Sequence, residues 1–186
     1  WADESDVSID HSDISAGEEE SASGTAVHFN SPSGRELFVF TSSLDGAGNG
    51  TGLWVNVSAE SGMVIILNSV ISAEGPALES LSGTIHAGSS TFFSEWDSAA
   101  VLWTLNTLPR FTQCTFLGMS GGNMNPAIAL GGTPAVPIPP TPSIFNSSLV
   151  PFIPPVNAPA SIGMHPASFP PLGMGSVLLV NSVIAT

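Results

Sequence analysis

The sequence predicts an all-β solenoid of stacked coils, and three observations lead there: an eight-residue pattern recurs six times in 186 residues, strand-like segments lie between the copies, and no stretch keeps a helical period. The copies are Val7 to Ile14 (VSIDHSDI), Leu37 to Leu44 (LFVFTSSL), Val64 to Ile71 (VIILNSVI), Pro109 to Phe116 (PRFTQCTF), Pro142 to Leu149 (PSIFNSSL) and Val177 to Ile184 (VLLVNSVI).

Stacked in this register, the copies form columns. The last reads Ile14, Leu44, Ile71, Phe116, Leu149, Ile184, and an earlier one reads Ile9, Val39, Ile66, Phe111, Ile144, Leu179; both are apolar throughout. Ser12, Ser42, Ser69, Cys114, Ser147 and Ser182 form a column of small residues, and His11, Thr41, Asn68, Gln113, Asn146 and Asn181 form a polar one just before it. Apolar, polar, small, apolar describes two short strands joined by a tight bend. Asn accepts the left-handed backbone such a bend requires, and a small neighbour lets coils stack at about 4.8 Å. Identical polar residues one above another can hydrogen-bond along the stack, as Asn/Gln ladders do, and the small column is expected to face the interior of the bend. The alternative is that these are amphipathic strands of a β-sandwich.

The last-column residues lie 30, 27, 45, 33 and 35 apart, each interval long enough for a coil of somewhat over twenty residues with its loops. The longest interval holds a weaker copy, Leu78 to Ile85 (LESLSGTI), which follows its predecessor too closely for a coil and reads as a strand on another face or as coincidence. Further strand-like segments rich in β-branched and aromatic residues are Thr25 to Phe29, Leu53 to Ser58, Ala99 to Asn106 and Ala127 to Leu130. Asp45 to Gly52 (DGAGNGTG) reads as an open loop.

This pattern resembles the coil repeat of the pectate-lyase-like superfamily, whose coils often carry a bend of the I-x-x-N-x-I style. The resemblance covers the six windows and the segments between them. It implies a right-handed parallel β-helix and specifies no activity.

Residues 134–171 depart from the repeat, holding twelve of the sixteen prolines around the Pro142 to Leu149 window. Proline cannot donate to a sheet ladder, so this is predicted to be an excursion in polyproline II or turn conformation. Its apolar residues Val136, Ile138, Phe152, Ile153 and Val156 favour packing on the solenoid; a proline-rich ligand for another protein is the sharper alternative. The chain then reads as one solenoid domain, 1–186, with this excursion and an acidic N-terminal coil over 1–20.

Lysine is missing, arginine occurs twice (Arg35, Arg110), and fifteen carboxylates give a formal charge of −13, eight of them within residues 1–20. A surface so short of cations neither neutralises phosphates nor approaches anionic lipid, which argues against nucleic-acid and membrane-surface partners. No apolar run is long enough to span a bilayer; the longest candidate, Met63 to Ile71, is broken by Asn68 and Ser69. The single cysteine, Cys114, rules out an intramolecular disulfide.

Candidate chemistry is sparse. Asp10 with Asp13, and Glu95 with Asp97, are the close carboxylate pairs outside the acid-rich run, and glycoside hydrolysis needs two carboxylates on one face. Asp10 and Asp13 fall outside the core columns and read as solvated surface. Arg35 and Arg110 are the two candidates for a base of the kind lyases on such folds use, and read as surface charge. His11, His28, His86 and His165 lack metal-ligand spacing, and the Asp45 loop offers two side-chain oxygens where calcium wants six to eight. No catalytic, cofactor or metal residue is assigned. Sequons occur at Asn49, Asn56 and Asn146, Asn49 being the best-placed acceptor and Asn146 lying in the bend column.

These features point to an extracellular or cell-surface structural or adhesive protein. A carbohydrate-active β-helix enzyme and a phage tailspike-like fibre segment are the alternatives. Neither end carries an apolar cap, so the solenoid is expected to continue, into further chain or into another copy stacked head to tail, with glycans as a second class of partner.

Overall fold

The computed structural model describes residues 5–17, 24–58, 61–106, 109–118, 126–131, 141–151, 162–164 and 177–184, and every regular element among them is a β-strand. The strands follow one another in a cycle. β1 (Val7–Asp10) and β2 (Asp13–Ser15) open it, followed by β3 (Val27–Ser31), β4 (Glu36–Phe40) and β5 (Ser43–Gly46), then β6 (Leu53–Val57), β7 (Met63–Leu67) and β8 (Val70–Ala73). The long β9 (Leu78–Gly88) and β10 (Thr91–Ser94) come next, then β11 (Ala100–Asn106), β12 (Arg110–Thr112) and β13 (Thr115–Gly118). β14 (Ile128–Gly131), β15 (Ser143–Phe145), β16 (Ser148–Pro151), β17 (Ile162–Met164), β18 (Leu178–Val180) and β19 (Val183–Ile184) complete the series.

Each strand pairs with its counterparts one cycle before and after, always in parallel. One ladder runs β1-β4-β7-β9-β12-β15-β18. Another runs β2-β5-β8-β10-β13-β16-β19. The third runs β3-β6-β9-β11-β14-β17. β9 serves two of these ladders, its first part pairing with β6 and β11 and its last part with β7 and β12, which joins them into one 12-stranded sheet beside the separate 7-stranded one. Gly83 (φ 106) marks the corner within β9, where a Cβ would collide with Val57. An isolated bridge between Gly24 and Ala47 is the one antiparallel pairing among the described residues.

The register of the six windows holds residue for residue: Ile14 pairs with Leu44, Leu44 with Ile71, Phe116 with Leu149 and Leu149 with Ile184. The 45-residue gap contains a seventh copy, Ile85 to Phe92 (IHAGSSTF), with Phe92 pairing Ile71 on one side and Phe116 on the other. It divides the interval into 21 and 24 residues. Leu78, which begins the weaker copy proposed from sequence, pairs with Leu53 and Ala100 and so lies on another face. The four intervening segments read as strands are β3, β6, β11 and β14, all in the third ladder.

Alternation along each strand sends one side chain of every pair inward. Leu37, Val39, Leu44, Val64, Ile66, Ile71, Ile85, Phe92, Phe111, Phe116, Ile144 and Leu149 are fully buried. Phe92 stacks on Phe116 at 5.1 Å, and Phe111 meets both rings edge-on at 6.1 and 5.0 Å. Of the Pro-rich stretch, β15, β16 and β17 belong to the ladders. Val136, Ile138, Phe152, Ile153, Val156 and most of the prolines lie outside the described residues, as do Trp1–Glu4, the Glu18–Glu20 run and His165.

Asp45 and Gly46, read as loop from sequence, are the end of β5, and the chain after them is largely packed inward: Ala47, Gly50, Thr51 and Gly52 are buried, with Asn49 exposed. The glycines allow this, since a Cβ on Gly50 would strike the backbone of Gly24.

Candidate functional site

The bend between the first two ladders is the most regular feature of the molecule. Its first residue has a positive φ in each of the seven described cycles: His11 (46), Thr41 (48), Asn68 (51), Ser89 (49), Gln113 (55), Asn146 (48) and Asn181 (48). Left-handed backbone turns these side chains outward, and all seven are exposed. The polar column therefore meets solvent. It is joined once among the described residues, by Ser89 Oγ donating to Gln113 Oε1 at 3.3 Å.

The continuous ladder runs along the small residues, whose column faces the interior of the bend. Each hydroxyl donates to the carbonyl two residues earlier: Ser12 to Asp10 (2.8 Å), Ser42 to Phe40 (2.7 Å), Ser69 to Leu67 (2.8 Å), Ser90 to Gly88 (2.8 Å), Ser147 to Phe145 (2.8 Å) and Ser182 to Val180 (3.1 Å). The same oxygen accepts the backbone N–H of the preceding rung: Ser12 to Ser42 (3.1 Å), Ser42 to Ser69 (3.2 Å), Ser69 to Ser90 (3.2 Å), Cys114 to Ser147 (3.0 Å) and Ser147 to Ser182 (3.3 Å). Ser42, Ser69, Ser90, Cys114 and Ser147 are buried, so these bonds satisfy groups that water does not reach. Cys114 keeps the pattern with a longer contact, Sγ to Thr112 O at 3.5 Å. Burial raises its thiol pKa above the ordinary 9.0, with hydrogen bonds to the Ser90 and Thr112 backbone acting in the opposite sense. A shorter ladder links the third face, Asn56 Nδ2 donating to Asn30 Oδ1 (3.0 Å) and Ser82 Oγ to Asn56 Oδ1 (2.8 Å).

The candidate catalytic pairs do not converge. Asp10 lies in β1 and Asp13 in β2, on either side of the bend and in different sheets, and both are exposed. Asp10 Oδ1 sits 2.7 Å from His11 Nδ1. Asp97 closes a local turn, its N–H donating to Ser94 Oγ (2.9 Å) and its Oδ1 accepting from the N–H of Ser98 (2.6 Å). Glu95 faces an open groove of about 610 Å³ with Asp45, Glu74 and Phe93, and Asp45 Oδ1 accepts a hydrogen bond from Ser72 Oγ at 2.7 Å. Sequence spacing did not show this grouping, because its carboxylates come from three successive cycles.

Arg35 is exposed, and Arg110, also exposed, lies over the Phe145 ring at 5.2 Å. A second depression, of about 480 Å³, lies between Arg110, His86, Asn68 and Gln113, with Gly88 among its lining residues. His28 stacks on Trp54 at 4.1 Å, and burial lowers its pKa. Among the described residues, no three His, Cys, Asp or Glu side chains are grouped to hold a metal ion. Of the sequon residues, Asn49 and Asn146 are exposed, while Asn56 is half-buried in its ladder.

The remaining feature is the edge at β18 and β19, unpaired on one side among the described residues. β18 pairs only with β15 and β19 only with β16 among the described residues. Leu179 is 39% exposed and Ile184 43%, although the residues one cycle earlier in their columns, Ile144 and Leu149, are fully buried. Leu178, Val180 and Val183 are exposed beside them. Compared with known proteins, the chain matches no family model, no curated protein and no solved structure.

Proposed function

We propose that the chain is a stretch of right-handed parallel β-solenoid serving as a structural or adhesive element outside the cell, able to stack head to tail into a fibre or to continue into further coils of the same chain. The observation that carries this reading is the parallel stacking of successive cycles in three ladders around one apolar core, an architecture that a further cycle, of the same chain or of another copy, can continue. Parallel pairing in every ladder weighs against a β-sandwich, whose sheets are antiparallel. Head-to-tail contacts that do not close on themselves give fibres rather than discrete dimers, whereas a discrete trimer in solution would favour a tailspike-like segment. The acidic surface and the exposed Asn49 sequon suit an extracellular setting and a glycan.

Electron microscopy and sedimentation velocity over a concentration series test the reading. Open-ended growth in mass, with a fibre rise of about 4.8 Å per cycle and so roughly 34 Å for seven cycles, is the expected result. A monodisperse monomer at every concentration overturns head-to-tail stacking. The groove at Asp45, Glu74 and Glu95 supports the second reading, a carbohydrate-active protein; loss of a measured polysaccharide-degrading activity in Glu95→Gln would establish that one instead.

A further inference from the structure

Charge is divided along this chain more sharply than its total suggests. All fifteen carboxylate side chains lie at or before Asp97; residues 98–186 contain no Asp or Glu, and Arg110 is the arginine among them. Among the described residues no carboxylate pairs with Arg110. Its guanidinium instead rests over the Phe145 ring, 5.2 Å from the centroid, a contact that holds a cation in place without neutralising it. In a protein of charge −13, an arginine left without an acidic partner is a cation open to an anion from solution.

The strand register builds a recess beside this cation. In the outward column that ends each strand of the first ladder, Gly88 of β9 stands between Leu67 of β7 and Thr112 of β12. Its neighbours carry side chains and it carries none, which leaves the depression of about 480 Å³. Small-molecule sites commonly fall between about 300 and 1,000 Å³. Leu67 gives the recess an apolar wall, its Cδ2 lying 2.9 Å from the place a Gly88 Cβ would take. On one flank Arg110 and His86 are register partners on adjacent strands, about 4.8 Å apart, and both are exposed. On the other flank are the bend residues Asn68 and Gln113, turned outward by their positive φ. Ser89 Oγ donates to Gln113 Oε1, so the amide nitrogen is the end of Gln113 left to donate. Donors therefore stand on two flanks, and no Asp or Glu lines the recess.

We propose that this recess binds a small carboxylate with an apolar body: the carboxylate on Arg110, with His86 and the Gln113 amide as further donors, and the body over Gly88 against Leu67. A guanidinium presents two parallel N–H groups that match the two oxygens of a carboxylate, and no carboxylate of this chain occupies them among the described residues. Sulfate or phosphate would use the donors and leave the apolar wall idle. The site is made by β7, β9 and β12 and is independent of how the solenoid is extended.

Titration of the isotopically labelled chain with benzoate, followed by amide NMR at constant ionic strength, tests the site. The amides of Gly88, Ser89, Arg110 and Gln113 are expected to shift along one saturable curve, with Arg35 unmoved. Benzamide, the same body without the charge, and sodium sulfate, the charge without the body, should each bind at least tenfold more weakly. Arg110→Gln should abolish saturation and Arg35→Gln should leave it intact. Gly88→Val fills the recess without changing charge; Gly88 has no positive φ and its neighbour is the tip of the flexible Leu67 side chain, so the strand accepts valine. That variant should weaken benzoate binding at least tenfold while its remaining spectrum stays dispersed. Shifts that never saturate, or that fall on Arg35 as much as on Arg110, overturn the proposal. So does benzamide or sulfate binding as tightly as benzoate, or full benzoate affinity in folded Gly88→Val or Arg110→Gln. The benzoate, benzamide and sulfate arms use the unaltered protein and decide the matter even where a substitution disturbs the fold.

Discussion

The serine at the small position does two things at once, and Ser69 shows both. Its hydroxyl donates to Leu67 O at 2.8 Å and accepts the N–H of Ser42 at 3.2 Å, with the side chain buried. Ser69→Ala leaves that buried N–H without a partner, at a cost of about 1–3 kcal/mol, and Ser69→Leu overpacks the rung by a similar amount. Urea unfolding should show both variants losing midpoint; unchanged stability in both would remove the ladder from the account. Cys114 gives a second test. The chain has no lysine and no tyrosine, so its one cysteine is the side chain that titrates in mildly alkaline solution. Burial raises the folded-state pKa above 9.0, so the unfolded chain releases this proton first. Stability is therefore retained below that pH and declines as pH rises through it toward the folded value. Melting temperatures from pH 7 to about pH 10.5 should fall for the native protein and stay flatter for Cys114→Ser.

At the scale of the element, β9 shows how a cycle is made shortest. It passes from one ladder to the next without leaving the sheet, turning at Gly83, whose φ of 106 and contact with Val57 leave no room for a side chain. Gly83→Ala should cost about 1–3 kcal/mol in backbone strain, with part of the loss recovered when Val57→Ala is added; additive losses in the double variant would place the strain elsewhere. This strand also marks where the sequence stops being legible. Six windows and their register could be read because bulky apolar residues and Asn, Thr, Gln or His recur at fixed offsets. The seventh has Ala87 and Gly88 before its bend and Ser89 at it, which carry little of that signal, and Leu78 to Ile85 offered a stronger decoy nearby. That the continuous hydrogen-bond ladder runs along the small column was not legible for a related reason. Residue type shows that a position tolerates positive φ, but the direction in which that φ swings the side chain follows from the folded backbone. The groove of Asp45, Glu74 and Glu95 was not legible, because only the stacking of cycles brings those residues together.

For the whole molecule, the governing opposition is between an apolar edge and a charge of −13. Copies of the same sign repel over a distance set by salt, about 30 Å at 0.01 M and 8 Å at 0.15 M ionic strength. If copies stack end to end, average mass in sedimentation should therefore rise with salt at fixed protein concentration; a fall would mean that ion pairs join the copies. β9 has a further consequence. It is flanked on both sides in both of its ladders, by β6 and β11 and by β7 and β12, whereas β18, β19, β1 and β2 each border a single neighbour among the described strands. In a stack whose units touch only their neighbours, opening proceeds inward from the ends, so amide hydrogens should exchange with solvent in a graded order. The slowest amides should lie in β9 and the fastest at the two edges, and an assembled fibre should slow the edges while leaving β9 nearly unchanged.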